Sequence, residues 1–333
     1  MPGTTELTDE LPDETIDAAV IGGGAAGLNG ALMLARSRRS VVVIDGGAPR
    51  NAAARAVHGL LGHDGTPPAD LVRKGREEVR RYGGRVVRGD VASARPAAPS
   101  VEGDLRFVVT LADGRCVRAR RLLVATGLRD VLPEVPGLAG QWGRGVVHCP
   151  YCHGWEVRDR AIGILGTGPL AVHGALLWRQ WSADVTLFRH TAPEPTADER
   201  ARLDARGIVV VTGPVAGVEG GADVRLADGR LVPRDALVVA PGFTARTDLL
   251  APLGLSPVPM ELAGTVLGTH LAVDPTGRTA VPGVYAAGNV ADPRGQVIGS
   301  AAAGLLAGAA INGDLIEEDT QRALAELVPG GAR

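Results

Sequence analysis

The chain has 333 residues, enough for about two ordinary domains. Hydrophobic residues make up 45% and charged residues 22%, which is the composition of a globular protein, not of a disordered or fibrous one. Lys plus Arg number 35 against 37 Asp plus Glu, a net charge of −2 with no basic block, so nucleic acid is not expected as a partner.

Residues 1–15 are acidic and lack the apolar stretch of a secretory signal; they read as a disordered leader. Ile16–Ile21 is a short apolar strand running into Gly22-Gly23-Gly24-Ala25-Ala26-Gly27, and Leu28 to Arg36 reads as a helix. In this strand–GxGxxG–helix order each glycine has its own use. Gly22 turns the chain, Gly24 lets the backbone approach a pyrophosphate, and Gly27 lets helix and strand pack closely. The helix start then offers free N–H groups, including those of Ala25 and Ala26, to the phosphates. A second strand, Val41–Ile44, ends at Asp45 and Gly46, and the Asp45 carboxylate is spaced to bind a ribose diol.

Two later segments repeat at one offset of 115 residues. Val109–Arg115 with Leu122–Gly127 is echoed by Val224–Arg230 with Leu237–Gly242. Each pair reads as a hairpin about an Asp-Gly turn followed by a buried strand. Between them, Ala161–Leu165, Gly166-Thr167-Gly168-Pro169-Leu170-Ala171, a helix to about Trp181 and a strand Asp184–Phe188 repeat the opening plan. One architecture therefore occurs twice. Near the end, Gly283–Asn289 is a strand that stops at Gly288 and Asn289. Gln296 to Asn312 then reads as an Ala- and Gly-rich helix, whose start at Gln296 and Val297 can present N–H groups to an electron-rich ring edge. The small-residue run Gly299–Ile311 is too short and too glycine-rich to span a membrane, so no membrane partner and a cytoplasmic location are expected.

Cys149-Pro150-Tyr151-Cys152-His153 places two cysteines where a helix start can stabilise a thiolate, with Pro150 suited to an early helical position. A reversible redox disulfide is the leading reading. The same string matches the attachment pattern of a c-type haem, and zinc would need two further ligands where only His148 and His153 are near. No metal is expected. Cys116 has no partner in sequence and reads as inert and buried. Tyr151, Trp155 and Trp142 can wall a substrate pocket or pack in the core.

The order GGGAAG (Gly22–Gly27), ATG (Ala125–Gly127), CPYCHG (Cys149–Gly154), GTGPLA (Gly166–Ala171) and VYAAGN (Val284–Asn289) resembles the low-molecular-weight thioredoxin reductases from about Asp17 to Asn312. Cys149–Asp159 is similar to a branch of FAD-dependent dithiol oxidases, of holomycin and gliotoxin type, that close a dithiol within a small molecule. The resemblance implies an α/β protein of two Rossmann-like, three-layer ββα nucleotide-binding domains. The FAD-binding domain would comprise residues 16–135 and 268–333. It would be split by an NAD(P)-binding-like domain, residues 136–267, carrying the CxxC pair. FAD would be held by the residues around Gly22–Gly27, Asp45, Gly46, Thr126, Gly127, Gly288, Asn289, Gln296 and Val297. Asn289 stands where the family usually has Asp, but an amide both donates and accepts. The resemblance also implies a homodimer, with Cys149 exchanging with substrate and Cys152 facing the flavin.

His153 stands where thioredoxin reductases usually carry an acid, and an imidazole can accept the protons that dithiol oxidation releases. His148 and His58 compete for that role, while His63, His173, His190 and His270 read as structural or surface residues. The family's arginine cluster for the NADPH 2′-phosphate is missing: Arg189 is present, with His190, Thr191 and Pro195 where further arginines would fall. The expected function is therefore oxidation of a small-molecule dithiol, with O2 as acceptor and H2O2 as product. A reductase of protein disulfides fed by NADPH or ferredoxin is the alternative, and a flavin-bound redox sensor is a third reading.

Overall fold

The structure, a computed structural model, describes residues 10–97, 106–262 and 264–327. The chain opens with β1 (Ile16–Ile21), α1 (Ala25–Arg36), β2 (Val41–Asp45), α2 (Pro68–Arg81) and β3 (Arg85–Arg88), then β4 (Val91–Pro96), β5 (Phe107–Leu111) and β6 (Cys116–Val124). Strands β3, β2, β1 and β6 run parallel in that order, and β4–β5–β6 form an antiparallel meander. The sequence of β6 shows both duties. Its first residues alternate between exposed and buried in the hairpin half, and Arg121 to Val124 are buried without a break where the strand is covered on both faces.

After β7 (Leu128–Val131), β8 (Val146–Val147) and α3 (Pro150–His153), the plan repeats as β9 (Ile162–Leu165), α4 (Ala171–Trp178), β10 (Val185–Phe188), α5 (Ala197–Ala205) and β11 (Val209–Val211). A second meander, β12 (Val215–Glu219), β13 (Asp223–Leu226) and β14 (Leu231–Val232), leads to β15 (Ala236–Val238). The second parallel sheet has the order β11-β10-β9-β15-β8. The repeat extends to the turns. Asp113 accepts a hydrogen bond from the Arg115 backbone N–H at 3.1 Å, Asp228 accepts one from Arg230 at 3.0 Å, and Gly114 and Gly229 adopt φ of 90° and 91°. Only glycine takes this conformation without strain.

The chain returns through β16 (Gly242–Ala245), β17 (Val258–Leu262) and β18 (Thr265–His270). Strand β19 (Val284–Ala286) then joins β6 in the first sheet, and α6 (Val297–Leu327) ends the described chain. The first unit is thus split by the second, and both are Rossmann-like, as expected. Strands β7 and β16, one on each crossing between the units, pair antiparallel within a four-stranded sheet with β18 and β17.

Several expectations are corrected. Helix α1 begins three residues early, at Ala25, and α4 stops at Trp178, short of Trp181. Residues 1–9 lie outside the described residues, but Leu11 packs against the first core and Pro12 is buried, so the expected disordered leader does not extend to residue 15. Cys116 is a free, exposed thiol because it opens β6 beside the turn, on the solvent side of the alternation. Helix α6 runs 15 residues beyond Asn312, and by length and composition alone it is long and apolar enough to cross a membrane. Its extension is tied down by charge: Asp314, Glu318 and Asp319 pair with Arg121, Arg120 and Arg39. Burial pushes the Glu318 carboxyl up, but the Arg121 hydrogen bond and the charges of Arg121 and Arg120 win and hold it below the usual carboxylate range.

Candidate functional site

The two units enclose a cleft of about 1440 Å³, lined by both glycine turns and by the CxxC segment. On the first unit's side the glycines have divided roles. A Cβ at Gly22 would overlap the Ala125 carbonyl oxygen, and one at Gly27 would overlap that of Gly22, so these two allow close packing beneath the cleft. A Cβ at Gly24 would meet nothing within 4 Å, so that backbone lies open to a ligand. Gly22, Gly24, Ala25, Ala26, Asp45, Gly46, Thr126, Gly127, Gly288, Asn289, Gln296 and Val297 all line the cleft; Gly27 does not, and serves packing.

Asp45 is held before any ligand arrives: Arg76 donates to it at 2.6 Å and the Gly47 N–H at 3.2 Å. Asn289 uses its amide N–H groups on the carbonyls of Asp292 and Gly295, at 3.0 and 2.8 Å, which closes the turn before α6. Its carbonyl oxygen accepts from Arg50 at 3.3 Å. Arg50 also makes a two-pronged pair with Asp130 on β7, at 2.6 and 2.9 Å, and lies over the Phe243 ring of β16. It joins the loop after β2, the sheet between the units and the turn before α6. Nothing in the local sequence marks Arg50 for this, because its partners are 80 and 239 residues away.

Cys149 and Cys152 form a disulfide at the start of α3, with Cys149 at the N-cap and Pro150 in the first turn. Gln296, beside the start of α6, brings its amide to 3.9 Å from the Cys149 sulfur, so the disulfide sits against the first unit. His148 stacks on Trp142 with ring centroids 5.5 Å apart. Tyr151, which lines the cleft, meets Trp181 edge-on, while Trp155 is two-thirds exposed under the Arg158 guanidinium and is not among the cleft residues, so neither is core. His190 and His270 are structural, hydrogen-bonded to backbone at Val215 and Ala291.

Burial chiefly, and then the charge of Arg50, lower the His148 pKa to about 4. Burial also lowers that of His153, with Glu156 partly opposing and His58 adding to the effect. Both rings are therefore neutral near pH 7, in the form that accepts a proton. A histidine whose folded pKa lies below its unfolded value costs nothing above the unfolded value and weakens the fold as pH falls through the interval. From 6.5 to about 4, His148 alone should remove about 3 kcal/mol of stability. Denaturant titrations at pH 7 and pH 4 should show this loss, and His148→Gln should abolish most of it.

On the second unit, Arg189 is paired with Glu194 at 3.3 Å, and Glu194 also holds Arg200 at 2.8 Å. Arg189, whose backbone lies beside Gly166 of the second glycine turn, is thus ion-paired within its own loop.

The sequence profile of the pyridine nucleotide-disulphide oxidoreductases matches residues 16–308. The chain belongs to this family. It is 33% identical over 314 residues to thioredoxin reductase sirT of Leptosphaeria maculans, covering 89% of this chain and 93% of that protein. It is 35% identical over 292 residues to thioredoxin reductase tcpT of Claviceps purpurea, covering 82% and 86%. The crystal structure of HlmI superposes with a TM-score of 0.85 at 44% identity, covering 96% of this chain and 98% of HlmI. The resemblance read from Cys149–Asp159 is borne out, and this pyridine nucleotide-disulphide oxidoreductase is a flavin-dependent, thioredoxin reductase-like enzyme with FAD as its cofactor.

The cleft suits that cofactor. The open Gly24 backbone and the start of α1 fit a pyrophosphate. Arg246, which lines the cleft, keeps its Nε buried with no hydrogen-bond partner among the described residues, as a site for an anionic ligand allows. Among the described residues no cluster of three or more His, Cys, Asp or Glu could hold a metal ion.

Proposed function

We propose that this protein oxidises a small-molecule dithiol to an intramolecular disulfide, with O2 as acceptor and H2O2 as product, as a cytoplasmic homodimer. The observation that carries this reading is the pairing of the Cys149–Cys152 disulfide with two histidines kept neutral by burial. Oxidising a dithiol releases two protons, so the site needs acceptors; reducing a disulfide would need a proton donor in the same place. The pairing of Arg189 with Glu194 adds support, because a 2′-phosphate would have to compete for that arginine.

His153 takes the proton of the first substrate thiol, and the thiolate attacks the Cys149 sulfur. The Cys149–Cys152 bond breaks and Cys152 leaves as a thiolate. The second substrate thiol loses its proton and attacks the substrate sulfur of the mixed disulfide, releasing Cys149. The substrate leaves as a disulfide, two protons have been taken up by bases, and the electron pair rests on the two cysteines. Bound FAD would supply the two-electron acceptor through which that pair could pass to O2. The residues that would hold it are Gly22, Gly24, Ala25, Ala26, Asp45, Gly46, Thr126, Gly127, Gly288, Asn289, Gln296 and Val297, within an FAD domain of residues 16–135 and 268–333. Residues 136–267 would form the inserted domain. Tyr151 and Trp142, which line the cleft, offer flat apolar surface for a heterocycle.

The flavin absorbance of the holoprotein, followed without oxygen, tests the direction of electron flow. Dithiothreitol should bleach it, NADPH should not, and air should restore the colour with one H2O2 per flavin. Prompt bleaching by NADPH would reverse the assignment to a disulfide reductase.

A further inference from the structure

The loop between β2 and α2 closes on itself at 57–66 through a bridge between Val57 and Thr66. It carries His58 across to the CxxC segment and passes beside Gln296. His58 Nδ1 lies 3.2 Å from the Asp64 carboxylate, which the Gly59 N–H also binds at 3.2 Å. His58 Nε2 lies 3.4 Å from the carboxylate of Glu156, three residues after His153. The turn bearing Glu156 is fixed at Gly154, where a Cβ would lie 2.5 Å from the Pro150 carbonyl oxygen and 2.8 Å from the Trp181 ring. One carboxylate on the CxxC turn is thus gripped by an imidazole from the other unit, which a second carboxylate orients from behind.

We infer that Glu156 is a positioning residue for the thiol chemistry, its negative charge steadying the imidazolium formed at His153 against the opposing effect of its partner His58. The inference rests on the proton-accepting role proposed for His153. When His153 takes a thiol proton, a buried ring gains a full positive charge, and Glu156 is the carboxylate whose charge opposes that cost. Glu156 is 44% exposed, so it can also pass the proton to water, while His153 is largely enclosed. Among the described residues, the only other group acting directly on His153 is His58, and the carboxylates of Asp64 and Asp130 act on His58 and His148 instead. His58 lowers its proton affinity, and His148 stands beside it with Arg50 and Asp130 behind. Glu156 and His58 therefore push His153 in opposite directions, and that opposition separates an electrostatic role from a merely structural one.

The experiment follows flavin bleaching of the holoprotein by dithiothreitol, without oxygen and in single turnover, from pH 4.5 to pH 8. The wild-type rate should fall at acid pH as His153 becomes protonated, and H153Q should lose that limb. E156Q should move the limb to lower pH by roughly half a unit to one unit, since a nearby opposite charge has gone from a partly exposed position. H58Q should move it to higher pH, since a neighbour that lowers the proton affinity of His153 is lost and Glu156 is left to His153 alone. A limb unmoved in E156Q, or displaced the same way in both variants, overturns the inference while leaving the base role of His153 intact. A limb that survives in H153Q overturns the base role, and this inference with it.

Discussion

Cys152→Ser should keep its FAD and lose turnover by roughly 10³-fold or more, the scale on which removal of an essential nucleophile acts. The residues proposed to hold the cofactor lie on the turns after β1, β2, β6 and β19 and at the start of α6, all in the other unit, so the flavin spectrum should be unchanged. With serine at 152, Cys149 is a free thiol and offers a substrate thiolate no disulfide to attack, and a hydroxyl cannot carry the electron pair onward. Thiol counting gives an independent reading. The chain has three cysteines, two of them in the Cys149–Cys152 disulfide, so the folded oxidised protein should react with an aromatic disulfide reagent at one thiol, the exposed Cys116. The variant should react at two, because Cys149 is freed. Normal turnover in the variant would sink the proposed exchange, whatever the flavin does.

The parts of the site that were legible in the sequence are those whose physics is local. A glycine turn between strand and helix, two cysteines at a helix start and an acid at the end of the second strand each declare a backbone geometry within a few residues. The duplicated Asp-Gly hairpins were legible for the same reason, and the structure repeats them down to the Arg115 and Arg230 hydrogen bonds. Arg50, Arg76, Asp130 and Glu156 were not legible. Each acts through a partner brought in by the topology: Arg50 reaches Asp130 and Asn289, Arg76 reaches Asp45 from the next helix, and Glu156 meets His58 only once the second unit lies against the first. Cys116 was misjudged because a nine-residue strand changes its environment midway, and its first residue belongs to the hairpin, not to the core. The length of α6 was missed because its second half is acidic and weakly apolar, and its stability comes from arginines on β6 and beside β2.

Gly304→Val should be the most damaging single change to the fold. Helices α1 and α6 cross at glycines, so that their backbones touch. A Cβ at Gly304 would overlap the Ala26 carbonyl oxygen, one at Gly308 would lie 2.7 Å from the Gly30 carbonyl oxygen, and one at Gly30 would meet both Leu123 and Gly304. The obstacle at Gly304 is backbone, so no rotamer change can relieve it, and the helices must separate. Overpacking of this kind costs about 3 kcal/mol. The cost reaches the function, because Ala26 belongs to the glycine turn and the start of α6 reaches the disulfide through Gln296. The variant should show a lower denaturant midpoint and weakened retention of FAD on dialysis. Gly313→Ala is the matched control on the same helix. A Cβ there meets nothing within 4 Å, and alanine in a helix interior is favoured over glycine by about 0.5–1 kcal/mol. It should raise the midpoint and leave the flavin in place. If the two variants behave alike, the contact between α1 and α6 does not control the cofactor site.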